Sequence, residues 1–134
     1  MTGLVWINGA FDGSVDPLDR GLTLGDGVFD TLVAFRRVAF AADRHLARLV
    51  GQAGSIGIPV EPGTIRAGWN ALLGRAEAEH VIVRTTVTRG VSGRALWPDS
   101  PSSPTVIASA LPWSAELFAR PARVVTSTIR RNAT

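Results

Sequence analysis

The stretch His80-Val81-Ile82-Val83-Arg84-Thr85-Thr86-Val87-Thr88 decides the architecture. Val81, Val83, Thr85 and Val87 alternate with Ile82, Arg84, Thr86 and Thr88, the period of a β-strand with two distinct faces. Downstream, Arg89 to Pro104 carries Gly and Pro clusters and reads as the longest loop, while Thr105–Leu111 and Arg123–Ile129 read as strands set apart by Pro112 and Pro121. Upstream lie two helical patterns. Leu46, Leu49, Val50, Ala53 and Ile56 form one amphipathic stripe, with Asp43 as the expected N-cap and Gly57 and Pro59 as the stop. Ile65, Trp69, Leu72, Leu73 and Ala76 form the second, after Pro62-Gly63-Thr64. Further upstream, Val28–Phe35 and Val38–Phe40 read as a hairpin turning at Arg36-Arg37, and Leu4–Phe11 as a hairpin turning at Asn8-Gly9. The segment Arg20–Gly27 is punctuated by glycine and has little helical character. The pattern predicts an α+β fold, an antiparallel sheet with two helices packed on it.

Composition narrows the chemistry. The chain has 134 residues, 46% of them hydrophobic and 19% charged, enough apolar surface for a core. It contains no Cys, which excludes disulfides, thiolate metal sites and a Cys nucleophile. All 14 basic residues are Arg, so no side chain here can act as a Schiff-base or P-loop lysine. The net charge of +3 is scattered, with adjacent pairs only at Arg36-Arg37 and Arg130-Arg131, which speaks against nucleic-acid binding. No run approaches the ~20 apolar residues of a membrane span, and no targeting segment is evident, so a cytoplasmic protein is expected.

The candidate sites are few. Neither histidine has a carboxylate three or four residues after it, so no metal site is expected. His45 has Asp43 nearby, but no Gly-x-Ser-x-Gly elbow exists, and its plain reading is packing or capping. Gly21–Gly27 lacks the spacing of a dinucleotide loop, and its glycines read as turns and close approaches. Arg48 lies beside the apolar stripe of its helix. It reads either as a solvated or acid-paired residue, with Asp43 the nearest acid, or as a fork aimed at phosphate or carboxylate oxygens. Arg84 sits mid-strand and Arg94 lies in the loop Thr88-Arg89-Gly90-Val91-Ser92-Gly93-Arg94; with Arg48 they could surround a small dianion.

Asp19-Arg20-Gly21-Leu22-Thr23-Leu24-Gly25-Asp26-Gly27-Val28-Phe29-Asp30-Thr31 closely resembles the N-terminal signature of the class IV aminotransferases, the fold type IV pyridoxal-phosphate enzymes. Three more stretches follow in that family's order: Asp43-Arg44-His45-Leu46-Ala47-Arg48-Leu49, Val83-Arg84 through Arg94, and Thr128-Ile129-Arg130-Arg131-Asn132. The resemblance spans essentially the whole chain. It implies the small N-terminal domain of the D-amino acid aminotransferase-like fold over residues 1–118, with 119–134 as a linker strand entering a further domain.

The same resemblance implies site residues. Arg48 falls on the cofactor-phosphate arginine, Phe29 on the substrate-facing aromatic and Arg94 on a carboxylate-binding arginine; Arg84, within a matching stretch, is read as substrate-binding with them. Leu96 and Trp97 fall on the wall of the pocket. Relatives often carry a hydroxyl where Phe29 stands, and D-amino acid aminotransferases tend to have a His near Leu96. The Schiff-base lysine is expected after Thr134, which leaves no catalytic residue in these 134 and predicts the isolated chain to be inactive. The implied cofactor is pyridoxal 5'-phosphate. The implied assembly is a homodimer with its active site at the interface, acting on a small amino acid and a 2-oxo acid. The alternatives are an aminodeoxychorismate lyase, whose loop Ser92-Gly93-Arg94 looks closer than the branched-chain type, and a non-catalytic fragment. An anion-binding module using Arg48 and Arg84 is a further reading.

Overall fold

The computed structural model describes residues 3–93, 95–98, 103–114, 116, 119 and 121–129. In chain order the elements are β1 (Leu4–Ile7), α1 (Arg20–Leu24), β2 (Gly27–Phe35), β3 (Val38–Ala39), α2 (Ala42–Ser55), α3 (Pro62–Arg75), β4 (His80–Thr88) and β5 (Thr105–Pro112). The strands form one five-stranded sheet in the order β1-β5-β4-β2-β3, every neighbouring pair antiparallel. The α+β expectation holds.

Alternation along β4 sorts the two faces. Val81, Val83, Thr85 and Val87 are buried beneath α2 and α3, together with Leu32 and Ala34 of β2 and Val106, Ala108 and Ala110 of β5. Leu46, Leu49 and Ala53 from α2, and Ile65, Trp69, Leu72 and Leu73 from α3, close this core. Each fully buried side chain of Leu or Ile size, such as Leu49, Ile65 or Leu72, contributes about 1.5–3 kcal/mol by leaving water. The indole of Trp69 would be a buried unpaired donor, but it donates to Thr85 Oγ1 at 2.7 Å. This explains the hydroxyl amid valines.

Several local expectations are corrected. Residues 20–24 are helical: Asp19 caps α1 by accepting from the Gly21 N–H at 2.7 Å, and Gly25 ends it with φ +68°. One turn of helix is too short for a periodicity signal. The Asn8-Gly9 turn forms with positive φ at both residues, but its hairpin reduces to one bridge between Ile7 and Ala10 because β1 pairs with β5 instead. Ala41, with φ +49°, is the N-cap of α2; Asp43 lies in the first turn and pairs with Arg66. Ile56, expected in the α2 stripe, lies at the C-cap and is exposed. No strand forms over 123–129; that segment is exposed throughout, and the sheet ends at β1 and β3 without taking it up. The Arg36-Arg37 turn is as expected, with φ +47° and +66°.

The end of the sheet where β4 runs out is closed by buried polar groups. The Asp19 carboxylate, fully buried, accepts from Thr88 Oγ1 at 2.9 Å and Thr105 Oγ1 at 2.7 Å. Beside it, Arg20 and Arg89 share the carboxylate of Asp26, each Nε donating to Oδ2 at 2.8 Å. Arg89 also donates to the carbonyls of Ile56 at 2.7 Å and Gly57 at 3.1 Å, so it caps the open C-terminus of α2. The Arg89 guanidinium, and behind it Arg20, holds the Asp26 carboxyl below its ordinary value near 3.8 against the opposing effect of burial.

Two predictions follow from this end of the fold. A Cβ at Gly21 would stand 2.2 Å from Thr88 Cγ2 and 2.5 Å from Thr88 Cβ. Thr88 is pinned by its hydroxyl, so Gly21→Ala should cost about 1–3 kcal/mol in urea unfolding. Because the folded pKa of Asp26 is depressed, its stabilisation is complete above the unfolded value and fades as pH falls through the folded one. The stability gap between wild type and Asp26→Asn should therefore be constant from pH 7 to about pH 4 and narrow below it. Urea midpoints at pH 7, 4 and 3 measure it.

Candidate active site

Residue alternation in β2 sends neighbours to opposite faces, and this divides the candidate site in two. Phe29, Thr31, Val33 and Phe35 point to the face that α2 and α3 leave uncovered; Asp30, Leu32 and Ala34 point into the core. The register pairs Phe29 with Thr86 and Thr31 with Arg84, so Phe29 and Arg84 are diagonal neighbours on the uncovered face. The Arg84 guanidinium lies 3.8 Å from the centroid of the Phe29 ring, a cation–π stack. Both side chains are exposed, Phe29 by 55%. α1 seats against Thr88 at one end of this face, and the edge-to-face cluster of Phe35, His80 and Trp113 stands at the other. Between them, among the described residues, the face carries the Arg84 cation with Phe29, Thr31, Thr86 and Ser109 as neighbours.

On the other side of the strand, the Asp30 carboxylate is the organising group. Its side chain is 2% exposed. It accepts from the Thr31 N–H at 2.6 Å and from Arg48 Nη2, and its Oδ2 lies 2.9 Å from His45 Nδ1, which donates when that nitrogen carries the proton. Arg48, 55% exposed, is thus anchored at one nitrogen while the rest of its fork faces outward. The two readings of Arg48 meet here: it is acid-paired, to Asp30 and not to Asp43, and it still presents donors. His45 belongs to this cluster. Asp30 was not among the expected site residues, although a carboxylate on the apolar face of β2 was the signal for it.

The loop after β4 is gripped by Arg20, whose Nη1 donates to the carbonyls of Gly93 and Ala95 at 2.7 Å each and whose Nη2 donates to Leu96 at 2.9 Å. Arg20 too was absent from the expected site. Leu96 and Trp97 are exposed on the outside of this turn. Trp97 lines a cleft of about 380 Å³ with Arg20, Leu24, Asp26, Arg89, Leu96 and Pro98, separate from Phe29 and Arg84. Arg94 lies outside the described residues. Among the described residues no group of His, Asp or Glu could hold a metal ion, and no helix is long and apolar enough to cross a membrane.

Comparison with known proteins joins these pieces. The profile of the family described as Amino-transferase class IV matches residues 27–134. A curated relative from Methanocaldococcus jannaschii, provisionally named a branched-chain-amino-acid aminotransferase, is 31% identical over 134 aligned residues, covering 95% of this chain and 46% of its own length. A D-alanine aminotransferase from Listeria innocua is 34% identical over 82 residues, 60% of this chain and 28% of its own. Among solved structures, the 4-amino-4-deoxychorismate lyase of Pseudomonas aeruginosa superposes with a TM-score of 0.73 at 30% identity, over 84% of this chain and 41% of the lyase. The branched-chain amino acid aminotransferase of Escherichia coli gives the same TM-score at 22% identity, over 84% and 42%, a likeness of fold. The chain spans less than half the length of these full-coverage relatives. With the family profile covering most of the sequence and the fold matching, the chain belongs to the class IV aminotransferase family.

Proposed function

We propose that this chain is the small-domain part of a pyridoxal-phosphate-dependent aminotransferase that acts on a small amino acid and a 2-oxo acid. In this reading residues 1–118 form that domain, and 119–134 lead into the part that carries the lysine beyond Thr134. The observation that carries it is Arg48, anchored from behind by a buried carboxylate and open in front, within a sequence stretch that matches the family signature. That donor set fits a phosphate group: a guanidinium whose free N–H groups face outward can take two phosphate oxygens, and Asp30 keeps it from swinging away.

The remaining residues receive roles from their chemistry. When bound, the cofactor supplies an electron sink for bond breaking at the substrate's α-carbon. Arg48 holds its phosphate. Arg84 offers the substrate carboxylate a cation, oriented by the Phe29 ring on which it lies. Phe29 has no hydroxyl to donate, so carboxylate recognition falls to guanidinium groups, Arg84 here and Arg94 on the loop, with Trp97 as part of the wall. The chain contains no lysine, so the group that moves the α-proton is assigned outside it. The uncovered sheet face, with exposed Phe29, Phe35 and Leu111, suits docking of the remainder of the protein and a second copy, as a homodimer requires.

A second reading is aminodeoxychorismate lyase, the activity named for the Pseudomonas aeruginosa structure that superposes at 30% identity. Both reactions begin by removing the proton from the amine-bearing carbon; the aminotransferase then passes the amino group to a 2-oxo acid, whereas the lyase expels pyruvate from the adjacent carbon and keeps the amino group on the product. Pyruvate released without consumption of a 2-oxo acid would mark the lyase.

Arg48→Ala in the intact protein should weaken pyridoxal-phosphate binding about ten- to a hundredfold, from the loss of a charge-assisted contact of roughly 1.5–3 kcal/mol. Titration of the apoprotein measures it, and unchanged affinity returns Arg48 to a surface ion pair. Borohydride reduction in the presence of the cofactor should label no side chain of residues 1–134 and label a lysine beyond them; peptide mapping by mass spectrometry locates the label.

A further inference from the structure

We propose that Arg20 is a positioning residue for substrate recognition: it fixes the backbone at Gly93, Ala95 and Leu96 and ties that loop to the helix that carries Arg48. This rests on the functional reading above, which assigns the loop to the substrate and Arg48 to the cofactor.

Arg20 is only 3% exposed, yet most of its donors go to a loop more than seventy residues away in sequence. Three loop carbonyls, those of Gly93, Ala95 and Leu96, converge on one guanidinium. Surface-loop carbonyls ordinarily turn to water. Convergence within 2.7–2.9 Å of one planar fork requires the backbone to curl around that fork. Apolar packing contributes little to holding the turn, because Leu96 and Trp97 are 88% and 83% exposed. The base of the loop is stitched as well: the Arg20 N–H donates to Gly90 O at 2.9 Å, and Asp19 bridges to Val91.

The orientation of Arg20 is itself imposed. Its Nε donates to Asp26 Oδ2, the atom that also accepts from Arg89 Nε. Arg89 reaches the last carbonyls of α2 at Ile56 and Gly57. A continuous polar chain therefore runs from the C-terminus of α2 through Arg89, Asp26 and Arg20 to the loop. α2 bears Arg48 near its middle. The substrate loop and the phosphate anchor are thus held on one frame, and the distance between a bound cofactor and a bound substrate carboxylate is set by it.

Arg20→Lys tests this. An ammonium keeps the charge but cannot serve one carboxylate and three carbonyls in a plane. In the intact protein the variant should be cut by trypsin and chymotrypsin between residues 93 and 98 about tenfold faster or more, with cleavage elsewhere unchanged. It should raise KM for the amino donor by about tenfold or more through misplaced recognition groups, while cofactor affinity stays within about twofold. A purely structural arginine would lower the melting temperature and cofactor affinity together with KM, and that outcome overturns the proposal. So does unchanged cleavage in 93–98, or faster cleavage with unchanged KM. Failure of the functional reading looks different: no amino transfer or pyruvate release by the wild type, with the cleavage comparison still readable. If Arg20→Lys does not fold, the wild type decides by arginine side-chain NMR. Hindered rotation about the Nε–Cζ bond of Arg20 supports the grip, and freely averaged Nη protons refute it.

Discussion

Two cations share one anion at the heart of this fold. Asp26 lies between Arg20 and Arg89, all three withdrawn from water, and the excess positive charge is absorbed by backbone carbonyls from α2 and the loop after β4. A buried charge left alone is costly, and the attraction between partners repays its desolvation only when the remaining donors are satisfied. That condition explains the geometry around it. The short α1, the left-handed Gly25, the close approach of Gly21 to Thr88 and the curled loop are the backbone shapes that bring acceptors to those donors.

At the other faces of the molecule the logic is simpler. Valines, leucines and one indole–hydroxyl pair hold α2 and α3 to the sheet. Among the described residues, the opposite face carries an arginine stacked on a phenylalanine, with neither α2 nor α3 above it. The apolar core and the Arg84–Phe29 pair are separated by one sheet thickness. The same strands serve both because a strand has two sides.

How much of this could be read from residues alone depended on the length of the signal. The stripes of α2 and α3 and the alternation of β4 run for many residues, and the structure follows them. α1 is a single turn, shorter than any periodicity window, and its cap at Asp19 is visible only once the Gly21 N–H is placed. The β-branched run near Val124 and Val125 has strand propensity but no partner strand in the sheet, and propensity without pairing does not make a strand. Arg48, Phe29 and Arg84 were nameable from motif order. Asp30 and Arg20 were not, since their importance lies in contacts across 18 and more than seventy residues. A carboxylate on an apolar face was the one local hint of the first; the second gave none.

The consecutive pair Phe29 and Asp30 carries a constraint of its own. One lies on the face that carries Arg84 and the other pairs with Arg48, and the unbroken nine-residue ladder with β4 fixes which does which. A single inserted or deleted residue in β2 would exchange them, placing a ring against Arg48 and a carboxylate beside Arg84. Descendants of this sequence can therefore vary what stands at either position, but not the parity of the count between them and the turn at Arg36. The strand works as a ruler with two scales, and neither can slide without the other.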